Sequence, residues 1–123
     1  MLVVEDERRL ASAARRGARP RPAVLTAGDL CLEPAARTTR RGEQDIELTA
    51  REFALLEYLI RRPGQVVAKA ELLEHVWDPD AVADLNVVEV YAGYLRRKID
   101  TPFGRNALQT VRGAGYRLAA DGG

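Results

Sequence analysis

Between Asn86 and Arg117 six basic side chains (Arg96, Arg97, Lys98, Arg105, Arg112 and Arg117) face only two acids, Glu89 and Asp100, a local charge of +4. The preceding stretch, residues 23–85, holds seven basic and twelve acidic residues, a charge of −5, so the whole-chain value of +1 conceals a dipolar protein. Guanidinium and ammonium groups interleaved with Tyr91 and Tyr94 suit one chemistry above others: neutralising phosphates and hydrogen-bonding base edges of a duplex. Covalent chemistry fails on inventory. His75 is the sole histidine, one turn after Glu71, Ser12 is the sole serine and Cys31 the sole cysteine, and none stands beside a partner that would make it a nucleophile. With no phosphate-binding glycine loop and no Cys/His metal cluster, the chain is expected to be no enzyme and to need no cofactor or metal.

The basic residues must be carried by something. Asn86–Asp100 reads as a helix because Val88, Ala92, Leu95 and Ile99 recur at steps of four, three and four, one apolar stripe for a core. The opposite side then presents Asn86, Val90, Gly93 or Tyr94, and Arg97, flanked by Tyr91 and Lys98. Leu108–Leu118 follows as a β-hairpin with Arg112-Gly113-Ala114-Gly115 at its tip, where glycine permits a tight turn and close approach to DNA. A helix for the major groove beside a basic arm for the backbone or minor groove is the arrangement a duplex reader requires. The alternatives are an ordinary amphipathic helix with a solvated charged face, or a winged helix used only for protein contacts, which would show an apolar patch in place of Arg97, Lys98 and Arg112.

Upstream, residues 24–48 read as a small antiparallel sheet, with a turn at Gly28-Asp29 and a hairpin turn at Arg41-Gly42-Glu43 before a strand over residues 45–48. Thr49-Ala50-Arg51-Glu52 is a capping box that opens a first helix with Phe53, Leu56, Leu59 and Ile60 inside, and Pro63-Gly64 stops it. A second helix spans residues 70–77, with Leu72, Leu73, Val76 and Trp77 inward; His75 is partly exposed or packed near Trp77. Cys31 is a small buried hydrophobe, and no window is apolar and long enough to span a membrane, so a cytoplasmic protein is expected. Sheet, three helices and hairpin make an α+β winged helix-turn-helix over residues 23–119, with a tail at residues 120–123.

At LTAREFALLEYLIRRPGQVV, ELLEHVW, VVEVYAGYLRRKID and above all TVRGAGYRL, the chain resembles the C-terminal effector domain of OmpR/PhoB-type two-component response regulators, over roughly Val24–Leu118. The resemblance implies a four-stranded N-terminal sheet, a three-helix bundle and a C-terminal wing. It also implies transcription regulation by sequence-specific binding to direct-repeat promoter sites, as a head-to-tail dimer on DNA and a monomer in solution. By position, the helix over residues 86–100 would be the recognition helix, with Asn86 near phosphates or base edges. Val90 would meet a thymine methyl, and Tyr91, Tyr94 and Arg97 would reach bases or backbone. Family members often carry arginines where Gly93 and Tyr94 stand, so guanine readout from the helix centre is not implied here. Arg96 and Lys98 would clamp phosphates, or Arg96 would pair structurally with Glu89; Thr110 and Arg112 fall where the wing touches backbone and minor groove.

The loop over residues 78–85 resembles the connection that contacts RNA polymerase in relatives, through Asp78, Asp80 and Asp84, although the same aspartates would serve as helix caps. At the other end, LVVEDE resembles the first strand of a receiver domain, and residues 8–22 its last helix and linker. The acceptor-aspartate region between is absent, so residues 1–22 are expected to be a receiver remnant and linker, disordered or weakly helical. DNA binding is then expected to be independent of phosphorylation and weaker than that of linked half-sites.

Overall fold

Short runs of alternating burial build the N-terminal half. The structure, a computed structural model, describes residues 24–78 and 84–123. The expectations for residues 1–22, and for Asp80, fall outside these. Strands β1 (Leu25–Ala27), β2 (Leu30–Glu33), β3 (Thr38–Arg41) and β4 (Gln44–Ile46) pair antiparallel in sequence order. Their register aligns Leu25, Leu32, Thr39 and Ile46 across one face, and Leu30 and Leu32 are fully buried there against the helices. The last strand is displaced from residues 45–48: Gln44 already pairs with Arg41, and the chain leaves the sheet after Ile46 to reach the Thr49 cap.

Helix α1 (Ala50–Ile60) starts on the expected box: the Glu52 amide donates to the Thr49 hydroxyl and the Thr49 amide donates to the Glu52 carboxylate. It buries Phe53, Leu55, Leu56, Leu59 and Ile60. Helix α2 (Lys69–Val76) begins one residue earlier than its apolar spacing indicated, and Trp77 is its extended C-cap, still buried. Helix α3 (Leu85–Ile99) is capped by Asp84, whose carboxylate accepts from the Asn86 amide at 3.0 Å. Its stripe of Val88, Ala92, Leu95 and Ile99 is buried as the spacing required, each contributing about 1–3 kcal/mol of burial. Among the described residues no helix is long and apolar enough to cross a membrane.

The wing is strands β5 (Leu108–Val111) and β6 (Gly115–Leu118), an antiparallel pair that also takes a bridge from Val67. Val67 and Tyr116 exchange both backbone hydrogen bonds, at 2.7 and 2.9 Å, which fixes the hairpin to the segment entering α2. This corrects the role assigned to one tip glycine. A Cβ on Gly115 would lie 2.0 Å from the Val67 carbonyl oxygen, so that glycine serves the anchor and not DNA approach. Gly113, at φ 75° with open space around it, serves the turn.

Residues 119–123 pack instead of trailing: the Ala119 amide donates to the Ala107 carbonyl, and Gly122 is buried. Arg41, nearly inaccessible, holds this corner. It donates to the Ile99 carbonyl (2.7 Å), the Gly122 carbonyl (3.1 Å), Asp29 (2.6 Å) and the buried Asp100 (3.0 Å). Asp100 in turn accepts from the Ala107 and Leu108 amides. The sheet, the end of α3 and the root of the wing thus meet at one buried ion pair.

Candidate nucleic-acid interface

Because the stripe of α3 faces inward, its opposite face is determined. Asn86, Val90, Tyr94 and Arg97 are all exposed, and Gly93 lies among them. An aromatic chain runs outward from the core: Trp77 meets Tyr91 edge to face at 5.5 Å, Tyr91 meets Tyr94 at 5.3 Å, and the Arg97 guanidinium lies 5.8 Å from the Tyr94 ring. Tyr91, expected to flank that face and reach bases or backbone, is half-buried in that chain and belongs as much to packing as to the surface. Arg97 makes no hydrogen bond or ion pair with other described residues, and neither does Arg112, exposed at the wing tip.

Arg96 and Lys98 are already engaged. Arg96 donates to the Leu108 carbonyl (3.1 Å) and to the Thr110 hydroxyl (3.0 Å), so it links α3 to the wing. The suggested Arg96–Glu89 pairing is not found: Glu89 binds Lys69 of α2 at 2.7 Å, because Arg96 is drawn to an unpaired carbonyl at the wing root. That hydrogen bond holds the Lys69 ammonium above its ordinary pKa. Lys98 pairs with Glu52 at 2.7 Å, tying the flank of α3 to the start of α1. Burial raises the Glu52 pKa, but the Lys98 ammonium and the Thr49 amide and hydroxyl outweigh it and hold the carboxyl below its ordinary value.

One cation went unnoticed in the sequence. Arg51, inside the capping box, donates to the Val76 carbonyl and stacks 5.4 Å over Trp77. It lines, with Thr49, Ala50, Glu52, Tyr91 and Tyr94, an open cleft between the start of α1 and the exposed face of α3. Its sole sequence signal is adjacency to a helix N-terminus. Of the loop aspartates, Asp84 takes up the capping role, and Asp78 is exposed.

His75 is exposed and stacks on Tyr58 at 5.5 Å, not near Trp77, and the Tyr58 hydroxyl donates to Glu71 at 2.5 Å. That hydrogen bond, with burial, raises the Tyr58 pKa. No cluster of His, Cys, Asp or Glu able to hold a metal occurs among the described residues.

Comparison with known proteins points the same way. The family described as "Transcriptional regulatory protein, C terminal" matches residues 42–118. The transcriptional regulatory protein TcrA of Mycobacterium tuberculosis is 54% identical over 115 residues, covering 94% of this chain and 46% of TcrA. The chain thus spans about half the length of the curated relatives it matches. Among solved structures, the DNA-binding domain of Klebsiella pneumoniae RstA in complex with the RstA box superposes with a TM-score of 0.69 at 26% identity, covering 79% of this chain and 97% of that one. Response regulator DrrB of Thermotoga maritima, described as an OmpR/PhoB homolog, has a TM-score of 0.69 at 28% identity, covering 78% of this chain and 44% of that one.

Proposed function

Since the chain belongs to the transcriptional regulatory protein C-terminal family and carries its OmpR/PhoB-type winged helix, we propose that it reads double-stranded DNA, with α3 in the major groove and the wing on the backbone or minor groove. One observation carries this reading most directly. Arg97 and Arg112, which make no hydrogen bond or ion pair with other described residues, project from the two elements that a duplex would meet together. Asn86 and Arg97 stand at the two ends of the reading face as hydrogen-bonding groups for base edges, with Val90 and Tyr94 between them as apolar contacts. Thr110 stands beside Arg112 for the backbone. Arg96 and Lys98 act chiefly as positioning residues, Arg96 fixing the wing against the helix and Lys98 fixing the helix against α1.

The protein would act in the cytoplasm as a regulator of transcription, binding direct-repeat sites as a head-to-tail pair while monomeric in solution. Asp78, Asp80 and Asp84 would offer the loop over residues 78–85 to RNA polymerase. The RstA complex with its box supports the DNA reading by fold likeness, and TcrA supports the regulatory one by sequence. The exposed Val90 and Tyr94 alone would also suit a protein partner, but the Arg97 guanidinium lies 5.8 Å from the Tyr94 ring.

Selection of duplexes from a random pool, followed by titration of variants, tests the division of roles. Arg112→Gln should weaken selected and random duplexes alike, by about fivefold or more. Asn86→Ala and Arg97→Gln should change which bases are preferred. Equal losses for all three on every duplex would refute base reading by α3.

A further inference from the structure

Gly93 sits in the middle of a 15-residue helix, where glycine is disfavoured, and nothing among the described residues accounts for it. Every other described glycine has a positive φ, which alone explains the residue: Gly28, Gly42, Gly64, Gly104, Gly113, Gly115, Gly122 and Gly123. Gly93 has ordinary helical geometry. A Cβ built there would meet a single neighbour, Arg97 Nη2, at 3.9 Å, an ordinary contact with the mobile end of a side chain. The fold therefore has room for alanine, and alanine would raise the unfolding midpoint by about 4–8 °C for a domain of this size.

The requirement must then come from outside the protein, and the helix position says from where. Gly93 lies on the side away from Val88, Ala92, Leu95 and Ile99, beside Val90 and Tyr94, which are 40% and 43% exposed. The centre of this face is thus a bare stretch of helix backbone between two apolar side chains, with the Arg97 guanidinium at its edge. Only one base edge in the major groove offers a matching apolar surface, the C5-methyl of thymine.

We propose that Gly93 is a specificity-determining residue: its missing side chain lets α3 seat a thymine methyl at the centre of the half-site, between Val90 and Tyr94. This rests on the DNA-reading function above and deepens it. A helix with a side chain at position 93 would be held away from the groove floor by about the thickness of a methyl group, and its end contacts through Asn86 and Arg97 would be stretched with it.

The test uses the whole 123-residue chain and duplexes enriched from a random pool by the wild type. Gly93→Ala should raise the unfolding midpoint and bind the enriched duplex about tenfold more weakly, with a clearly smaller loss on random duplex. Replacing the central thymine by deoxyuridine removes its methyl and leaves its hydrogen-bonding edge intact. On that duplex the wild type should lose several-fold and the alanine penalty should shrink to about twofold. Unchanged affinity of Gly93→Ala for the enriched duplex, an equal penalty on the thymine and uracil duplexes, or an enriched half-site with no central thymine would each overturn the proposal while leaving DNA reading intact. A wild type that enriches no sequence at all would remove the DNA-reading function itself, and this proposal with it.

Discussion

Replacing Arg41 with methionine should be among the most damaging single changes to this domain, although it touches neither the helix face nor the wing tip. The guanidinium and the Asp100 carboxylate are both about 1% exposed and lie 3.0 Å apart. Methionine fills much of the same volume but leaves Asp100 charged and buried with only the Ala107 and Leu108 amides to satisfy it. Breaking a buried pair from one side typically costs about 3–5 kcal/mol. The Ile99 and Gly122 carbonyls lose their donor at the same time, though partial hydration offsets that loss. A total of about 4 kcal/mol is expected, a large part of the roughly 5–15 kcal/mol that stabilises a domain. The Asp29 end of the network sets the contrast. Its side chain is 41% exposed despite the 2.6 Å contact, so Asp29→Asn should cost only about 1 kcal/mol or less. Urea unfolding of both variants measures the two losses, and DNA titration at low temperature, where both remain folded, should show unchanged affinity per folded molecule. Similar small losses for both substitutions would refute the claim that the Arg41–Asp100 pair holds the sheet, α3 and the wing root together.

Three further outcomes follow from local geometry. Gly115→Ala should cost about 3 kcal/mol or more by denaturation, since its Cβ would strike the Val67 carbonyl, whereas Gly42→Ala, with only its φ of 60° against it, should cost about 1 kcal/mol; equal losses would dispute the wing anchor. Lys98→Met should lower stability by about 1 kcal/mol at neutral pH. The Glu52 carboxyl titrates lower in the folded state than its ordinary value of 4.5, so its contribution is complete above that value and fades as pH falls through the lowered one. The gap between wild type and Lys98→Met should therefore close in acid, and a gap that stays constant with pH would contradict the pairing. A double-mutant cycle on Arg96→Met and Thr110→Val should return a coupling of about 0.5–1 kcal/mol in stability, and strict additivity would deny the link between helix and wing.

The fold was legible wherever one local rule acts on its own. Thr49 and Glu52 announce the start of α1, and the four–three–four spacing from Val88 to Ile99 orients α3. That orientation brings out Asn86, Val90, Tyr94 and Arg97 with no further information. What stayed hidden depends on partners distant in sequence. Nothing near Arg41 reveals that it will reach Asp100, Ile99 and Gly122, and so the role of residues 119–123 could not be inferred. Lys98 read as a phosphate clamp, and Arg96 as a clamp or a partner of Glu89, because Glu52, 46 residues from Lys98, and the Leu108 carbonyl are found only by folding. Gly115 misled for the same reason: a glycine at a hairpin tip and one under a neighbouring carbonyl look identical as a letter. The helix and the hairpin were legible from the residues themselves, and the likeness to OmpR/PhoB-type domains added the count of four strands in the sheet.

The most direct test is the affinity of the whole chain for random duplex DNA as a function of salt. Arg97 on the helix and Arg112 on the wing, neither held by a hydrogen bond or ion pair among the described residues, should give a logarithmic slope of about −2 or steeper, since each phosphate neutralised contributes about −0.9. Arg112→Gln should flatten it by about one phosphate's share. Binding that ignores salt, or a slope untouched by that substitution, would contradict a cationic helix-and-wing surface made for a double helix.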